Sequence, residues 1–267
     1  MCVTCGCDAN GQEKITKVDH DHTHAHAHHH DHSHTHEQTT VVQLEQDILH
    51  KNNLLAERNR GYFMAKEITA FNLVSSPGSG KTTLMERTLT DLKGKQPFYV
   101  IEGDQQTTND AQRIAATGTP VVQINTGKGC HLEASMIADA LRTLKPEDGS
   151  AVFIENVGNL VCPSMFDLGE NKRIVLISTT EGEDKPLKYP NMFAGSDLCI
   201  INKIDLLPYL NISVDQIKTY ATQINPRLQF LEVSCTTGQG LDEWYHWLAH
   251  QLGHAHSHDH AHHHHHH

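Results

Sequence analysis

The sequence predicts an α/β fold in which helices cover both faces of a doubly wound, mostly parallel sheet. Three observations support this prediction: seven short apolar segments, helical segments between several of them, and a glycine-rich turn directly after the first. Most of the apolar segments do not alternate with polar residues, which is typical of strands buried on both faces. Such an alternation of strands and helices places ligands at the carboxyl ends of the strands.

The predicted elements of the sheet begin at about Ile68. Strands are expected over Phe71–Val74, Phe98–Ile101, Val121–Ile124, Ala151–Ile154, Ile174–Ile177, Leu198–Ile201 and Leu228–Val233. The helices expected between them include Thr82–Leu92, Leu132–Leu144, Val214–Ile224 and Leu241–Leu252. A lead-in helix is expected from Val41 to Arg60, where apolar residues recur at roughly helical spacing and no Pro or Gly occurs before Gly61.

The composition excludes several classes of protein. With 267 residues, 37% of them hydrophobic, the chain can bury one full-sized core. The net charge of −11 argues against a nucleic-acid partner, because neutralising phosphates needs clustered Lys and Arg. No apolar run approaches the ~18 residues of a membrane span, and the first residues contain no signal-peptide pattern. We therefore expect a cytoplasmic protein whose seven cysteines are metal ligands or buried thiols, not disulfides.

Five segments are expected along the chain. They are a cysteine motif in residues 1–19, a disordered histidine-rich tract in residues 20–38, the lead-in helix in residues 39–66, the sheet domain in residues 67–253, and a histidine-rich tail in residues 254–267. Ten of the seventeen residues from His20 to His36 are histidine, which leaves no apolar face to order the backbone. The last six residues, His262 to His267, match either a purification tag or a continuation of a similar tract.

A phosphate-binding loop follows the first predicted strand. Residues 75–83 read Ser-Ser-Pro-Gly-Ser-Gly-Lys-Thr-Thr and fit the pattern G-x-x-x-x-G-K-[ST], except that Ser75 replaces the first glycine. Lys81 can reach the β- and γ-phosphates, and the Thr82 hydroxyl can bind Mg²⁺. The residues expected to contact the nucleotide here are Gly78, Ser79, Gly80, Lys81, Thr82 and Thr83.

A second motif indicates that the base is guanine. Asn202, Lys203 and Asp205 follow an apolar strand as N-K-x-D. The Asp205 carboxylate can accept hydrogen bonds from guanine N1–H and the 2-amino group, whereas adenine would leave its charge unpaired. Ser234 and Cys235 follow the next strand and are expected in the turn that contacts the base. The bound nucleotides are therefore predicted to be GTP and GDP.

Two further strand ends carry groups for hydrolysis. Residues 155–158, Glu-Asn-Val-Gly, resemble the D-x-x-G switch with Glu in place of Asp. Glu155 would hold Mg²⁺ through water, and the Gly158 N–H would sense the γ-phosphate. Asp104 ends another strand, where it can reach Mg²⁺ or the attacking water; a turn-forming Asp is the alternative interpretation.

The N-terminal segment predicts metal binding. Cys2, Cys5 and Cys7 have no apolar neighbours that would bury their thiols. Their three thiolates and the free α-amine of Cys2 would suit a square-planar Ni(II) site. The alternative interpretation is three reactive surface thiols that bind no metal. The histidine tract suits loose storage of several ions, not one defined geometry.

A third group of ligands lies within the sheet domain. Cys130 and His131 are adjacent in a loop that enters a helix, and Cys162 lies four residues after Gly158. If the sheet forms as predicted, both loops emerge on the nucleotide side, and the three residues form a nickel or zinc site connected to the switch. Taken singly, Cys130 and Cys162 are more typical of buried structural thiols, and it is the combination with His131 and the other metal-type segments that favours ligation. Cys199, inside a strand, is interpreted as structural.

These motifs together resemble one family, the hydrogenase nickel-incorporation GTPases commonly called HypB. The resemblance spans Met1 to about Leu252 and includes the Cys2, Cys5, Cys7 motif, the phosphate loop, Cys130-His131, Cys162 and N-K-x-D. It implies a GTPase that dimerises around nucleotide and serves nickel–iron hydrogenase maturation, with the hydrogenase large subunit as an indirect partner. It also implies a small nickel-binding accessory protein as a direct partner. Ser75 and Glu155 depart from generic GTPase patterns but agree with this family.

Two other functions compete with a GTP-dependent nickel chaperone. The related urease accessory GTPases are similar around the phosphate loop but carry a Cys-Pro-His metal motif. A metal storage protein would need only the histidine tracts, and its GTPase domain would be incidental.

Overall fold

The structure is a computed structural model that describes residues 35–104, 109–127 and 129–253. The strands are β1 (Thr69–Ser75), β2 (Phe98–Asp104), β3 (Val121–Asn125), β4 (Ala151–Glu155), β5 (Lys172–Ser178), β6 (Leu198–Asn202) and β7 (Gln229–Glu232). The helices are α1 (Thr35–Ala65), α2 (Lys81–Asp91), α3 (Asn109–Ala116), α4 (Ala134–Leu144), α5 (Lys185–Lys188), α6 (Pro190–Ala194), α7 (Val214–Ile224) and α8 (Leu241–Gln251). Short 3-10 turns occur at Cys162–Ser164, Thr179–Glu181 and Ile204–Tyr209.

Within the described ranges, the strands form one seven-stranded sheet in the order β3-β2-β4-β1-β5-β6-β7. Every neighbouring pair is parallel. The predicted fold class, an α/β fold with a doubly wound parallel sheet, is therefore confirmed. Because all strands point the same way, the loops after β1, β2, β3, β4 and β6 leave from one edge of the sheet.

Helices cover both faces of this sheet. On the first face, Leu84 of α2 and Trp244 of α8 belong to one buried cluster with Phe153 of β4. On the second face, Ile137 of α4 packs in a cluster with Ile154, also of β4. Helices α6 and α7 contribute to a third cluster beside β5 and β6. This packing explains why the strand sequences lack polar alternation.

The side chains of β4 alternate between these two faces, as those of any strand do. Ala151 and Phe153 belong to the cluster that contains α2, whereas Val152 and Ile154 belong to the cluster that contains α4. Glu155 therefore continues the series on the α2 face, and the next residue would face α4.

Two helices of the sheet domain begin at different residues from those predicted. Helix α2 begins at Lys81 because Gly80 directly before it has a left-handed conformation, with φ of +99°. Helix α4 begins at Ala134, not at Leu132, since the Leu132 N–H donates to the Asn156 side chain and the Ala134 N–H donates to Asn52. The residues before Ala134 are held in a loop by these tertiary contacts.

Helix α1 covers the region where the lead-in helix was expected. Its residues up to Lys51 belong to one unit of the chain, and Asn52 onward belongs to a second unit that contains the whole sheet. None of the described helices combines the length and apolarity needed to cross a membrane. The cysteine motif of Cys2, Cys5 and Cys7 and the tail from His254 lie outside the described residues. The histidine tract lies outside them as well, apart from the backbone of its last four residues, 35–38, which begin α1.

Candidate nucleotide and metal site

The phosphate loop connects β1 to α2 and depends on two glycines. Gly78 and Gly80 have φ of +74° and +99°, in the left-handed region that side chains rarely adopt. A Cβ on Gly80 would also lie 2.3 Å from Asn202 Nδ2. Asn202 donates to the Ser79 carbonyl over 2.9 Å, so the end of β6 packs directly on the loop. Gly80 is therefore required both by backbone conformation and by this close packing.

Glu155 binds the two polar side chains at the start of α2. Its Oε1 accepts a hydrogen bond of 2.6 Å from Thr82 Oγ1 and lies 2.9 Å from Lys81 Nζ. Lys81 and Glu155 are both shielded, with side-chain exposures of 11% and 2%. The switch motif and the phosphate loop, 74 residues apart in sequence, therefore form one charged cluster. Thr83, the next residue of α2, accepts from Arg113 of α3.

Glu102 is a buried carboxylate that sequence reasoning missed. It pairs in register with Glu155 on the neighbouring strand and is 2% exposed. Burial, and then the nearby charges of Glu155 and Asp104, raise its pKa to about 8, with Lys81 opposing the shift. The predicted carboxylate, Asp104, is the half-buried last residue of β2. A charged residue inside an apolar strand was the available sequence signal for Glu102.

A nucleotide and Mg²⁺ fit the polar atoms at this edge of the sheet. Among the described residues, four buried side-chain oxygens have no hydrogen-bond partner: Ser79 Oγ, Glu102 Oε2, Glu155 Oε2 and Asp205 Oδ1. Burying such groups without partners is costly, so a ligand that contacts them would be stabilised. Hydroxyl and carboxylate oxygens are the ligands that Mg²⁺ prefers. The donor set therefore fits both groups.

The N-K-x-D motif lies against the phosphate loop. Lys203 Nζ donates to the Gly78 carbonyl over 2.7 Å. The Lys203 backbone has φ of +64°, and its carbonyl accepts from Thr179 Oγ1 over 2.8 Å. Asn202 Oδ1 accepts from the Cys235 N–H, so the turn after β7 is held beside the same motif. The Ile204 N–H donates to the Val233 carbonyl, so Asp205, Ser234 and Cys235 lie in one region.

The switch leads from the phosphate loop to Cys162. A Cβ on Gly158 would lie 3.3 Å from Pro77 Cα, so this glycine packs against the phosphate loop. Asn159 follows, and its Oδ1 accepts from the N–H groups of Val161 and Cys162 over 2.7 and 3.4 Å. The position of Cys162 is therefore fixed by a turn that begins directly after Gly158.

Cys130, His131 and Cys162 converge on one point. One ligand atom from each lies within 4.8 Å of the other two. Cys130 Sγ is 3.7 Å from His131 Nδ1, and Cys162 is fully buried. Two sulfur atoms and one imidazole nitrogen at this spacing suit a borderline metal such as Ni(II) or Zn(II).

The surroundings of His131 fix its ring. The imidazole stacks on Phe166, with ring centroids 3.8 Å apart and planes inclined by 20°. Glu133 Oε1 lies 3.8 Å from Nε2, on the other side of the ring from Cys130. Burial lowers the pKa of His131, partly opposed by Glu133. With the Glu133 carboxylate on the Nε2 side, Nδ1 is the ring nitrogen that faces Cys130 and could bind a metal. Sequence reasoning missed Phe166, and no local pattern indicates it.

The two remaining described cysteines lie apart from this cluster. Cys199 is fully buried in β6, and burial raises its pKa. Burial also raises the pKa of Cys235 to about 11, with the Asn202 contact opposing the shift. Burial therefore disfavours the thiolate form of both cysteines.

Comparisons with known proteins agree with this arrangement. The family model for the CobW/HypB/UreG nucleotide-binding domain matches residues 69–232. The chain is 57% identical over 214 residues to the hydrogenase maturation factor HypB of Escherichia coli strain K12, covering 80% of this chain and 74% of that protein. It also resembles the crystal structure of HypB from Archaeoglobus fulgidus, with a TM-score of 0.71 and 40% identity over 76% of this chain and 98% of that one. The crystal structure of HypB from Helicobacter pylori in complex with nickel matches with a TM-score of 0.72 and 39% identity, over 79% and 99% of the two chains.

Proposed function

We propose, from the premise that this chain belongs to the HypB family of hydrogenase maturation factors, that it hydrolyses GTP and uses the nucleotide state to control a nickel site. Nickel is the cargo, and the reaction that drives its transfer is hydrolysis of GTP to GDP and phosphate. The enzyme that receives the nickel would be a nickel–iron hydrogenase. Catalysis and metal binding would share one switch, residues 155–162.

Lys81, Thr82 and Glu155 would perform the nucleotide chemistry. Glu155 Oε1 accepts hydrogen bonds from Lys81 Nζ and Thr82 Oγ1. The γ-phosphate is a stronger competitor for Lys81, so nucleotide binding would release Glu155 from that lysine. Thr82, Glu155 and Asp104 would then hold Mg²⁺, which when bound neutralises phosphate charge. Lys81 would stabilise the charge that develops in the transition state.

Asp205 and the turn at Ser234 and Cys235 would select guanine. The buried Asp205 Oδ1 has no hydrogen-bond partner among the described residues, and it would accept from the base. A base without N1–H and the 2-amino group would leave this carboxylate unpaired.

Nickel would bind through Cys130 Sγ, Cys162 Sγ and His131 Nδ1. Three ligands leave a fourth position, which a second copy of the chain would supply or cover in a symmetric dimer. Zn(II) would compete, but it favours tetrahedral ligands, whereas Ni(II) tolerates a planar nitrogen and sulfur set. Loss of the γ-phosphate from Gly158 would move Cys162 relative to Cys130 and His131, which lie on a separate loop.

The N-terminal segments would supply nickel to this site. Cys2, Cys5 and Cys7 would form a separate tight site, and the histidine tract would act as a reservoir. A small nickel-binding accessory protein would exchange the metal with the chain. Deleting residues 19–37 should lower the number of nickel ions bound per chain and leave GTP hydrolysis nearly unchanged. Unchanged nickel stoichiometry, measured by elemental analysis after removal of the last six histidines as well, would refute the reservoir role.

The observation that carries the proposal is the convergence of Cys130, His131 and Cys162 beside the switch that binds Lys81 and Thr82. The experiment is complementation of cells that lack the native protein, with hydrogenase activity as the readout. The Lys81→Ala and Cys162→Ala variants should each fail to restore activity at limiting nickel. Full restoration by Lys81→Ala would instead favour metal storage without a need for GTP hydrolysis.

A further inference from the structure

Two consecutive residues at the end of β4 contact different parts of the proposed site. Glu155 lies on the α2 face, where it binds Lys81 and Thr82. The Asn156 N–H donates to the Leu73 carbonyl over 3.0 Å, so the backbone still follows β1. Because side chains alternate along an extended chain, Asn156 lies on the opposite face, toward the loop that enters α4.

Asn156 contacts the metal loop directly. Its Oδ1 accepts a hydrogen bond of 3.3 Å from the N–H of Leu132, the residue after His131. The same oxygen accepts from the Val157 N–H over 3.0 Å, within the switch itself. Asn156 is fully buried. A single oxygen atom therefore joins the switch backbone to the loop that carries Cys130 and His131.

A chain of buried polar groups fixes the orientation of the Asn156 amide. The Glu170 carboxylate, paired with Arg173 over 2.8 Å, can only accept, and it accepts from Asn72 Nδ2 over 3.0 Å. The Asn72 oxygen is then left to accept from Asn156 Nδ2 over 3.3 Å. Consequently Asn156 Oδ1 must point toward Leu132 and Val157.

We propose that Asn156 is the positioning residue through which the nucleotide state of the switch reaches the metal loop. The inference deepens the proposed function and rests on it. When nucleotide displaces Lys81 from Glu155, the end of β4 and Val157 shift, and the Asn156 oxygen shifts with them. Leu132 N–H then loses or regains its partner, and the adjacent His131 moves relative to Cys162.

The packing of Leu132 makes this contact sensitive to small shifts. A Cβ on Gly103 would lie 2.8 Å from Leu132 Cδ2, so the Leu132 side chain fills the space beside the end of β2. That side chain is fully buried. The loop therefore cannot adjust freely, and displacement of its backbone N–H would be passed to His131.

Asn52 provides a matched control for Asn156. It is also a buried asparagine, and its Oδ1 accepts from the Ala134 N–H over 2.9 Å, two residues after Leu132. Its Nδ2, however, donates to the Asp167 carbonyl and not to the switch. Asn52→Ala removes a comparable hydrogen bond from the same segment without breaking the link to residues 155–157.

The test is nickel titration of the full chain in GDP and in a non-hydrolysable GTP analogue, with Cys2, Cys5 and Cys7 replaced by Ser. Absorption from thiolate-to-nickel charge transfer then reports binding by the remaining cysteines, since histidine tracts lack thiolates. The protein with only these three Ser replacements is the parent, and its nickel affinities should differ by about fivefold or more between the two nucleotides. In Asn156→Ala the ratio should fall to within about twofold of one, while Asn52→Ala should keep the parent ratio.

Amide hydrogen exchange of Leu132 in the unmutated protein provides a second measurement that does not depend on the folding of a variant. Its protection should differ between the GDP and analogue states. A parent ratio of one would contradict the proposed function together with the inference. Three results would overturn the inference alone. The first is an affinity ratio in Asn156→Ala equal to that of the parent, and the second is an equal loss of the ratio in Asn52→Ala. The third is amide protection of Leu132 that is the same in the GDP and analogue states.

Discussion

Lys81 Nζ lies 2.9 Å from Glu155 Oε1 in a cluster from which solvent is largely excluded. This ion pair joins the residue that would bind phosphate to the first residue of the switch. Removing either partner of this ion pair would leave the other charge buried and uncompensated. A bound nucleotide would instead replace the pair with a stronger contact between Lys81 and phosphate. The pair therefore links the phosphate loop directly to the switch.

Lys81→Ala and Thr82→Ala should each lower kcat for GTP hydrolysis by about 100-fold or more, because both remove contacts made where phosphate charge develops. Phosphate release in the presence of Mg²⁺ measures the effect. Thr90→Ala is the control: Thr90 lies on the same helix, is exposed, and its hydroxyl donates to the Glu86 carbonyl. Near-normal turnover in Lys81→Ala would refute the assignment of the phosphate site.

Asp205→Asn should shift base preference from guanine toward xanthine. An amide can accept from N1–H and donate to the 2-oxo group of xanthine, whereas the native carboxylate can only accept. Competition among GTP, XTP and ATP for hydrolysis measures the preference. Asp215→Asn, at an exposed position on α7, should leave it unchanged. Equal hydrolysis of GTP and ATP by the unmodified protein would refute the guanine assignment.

Phe166→Leu should weaken nickel binding at the proposed site by about two- to tenfold, the contribution expected of one aromatic stack. The leucine keeps an apolar side chain but no longer holds the His131 ring in plane. Phe98→Leu is matched, since Phe98 is also buried and stacks on Phe153, remote from the metal ligands. Nickel titration of both variants should separate ring orientation from general loss of packing, and equal effects would contradict the role of Phe166.

The thiol of Cys235 should react slowly with iodoacetamide at pH 8. Because burial raises its pKa to about 11, its thiolate fraction at this pH is about 100-fold below that of an ordinary cysteine, and its rate should rise about tenfold per pH unit up to about pH 11. Cys130 is partly exposed and provides the comparison. Peptide mass spectrometry of metal-free protein measures both rates. Equal rates at pH 8 would mean that Cys235 is accessible and is a further candidate ligand.

The sheet could be predicted from sequence because each strand is a short apolar segment, and burial on both faces removes the polar alternation. Candidate nucleotide-binding residues could be proposed from sequence because phosphate and base motifs are local patterns of four to eight positions. Cys130, His131 and Cys162 were identified by residue type, and parallel strands bring their loops to one edge.

The contacts that organise the site could not be predicted in the same way. Phe166 lies 35 residues after His131, and only the tertiary fold stacks the two rings. The start of α4 was misplaced because Leu132, a good helix former, is bound by Asn156 and packs against Gly103. Such hydrogen bonds and close packing override helix propensity, and they leave no periodic pattern in the sequence.

The central claim is that nickel and nucleotide are linked through the Cys130, His131 and Cys162 site. Linkage is reciprocal, so bound nickel must change the preference for a GTP analogue over GDP by the same factor by which the nucleotides change nickel affinity. The most direct measurement is the affinity of both nucleotides with and without nickel, in the full chain and in its Cys130→Ala/Cys162→Ala variant. We expect equal reciprocal factors in the full chain and none in the variant. A nucleotide preference that is the same with and without nickel would contradict the claim.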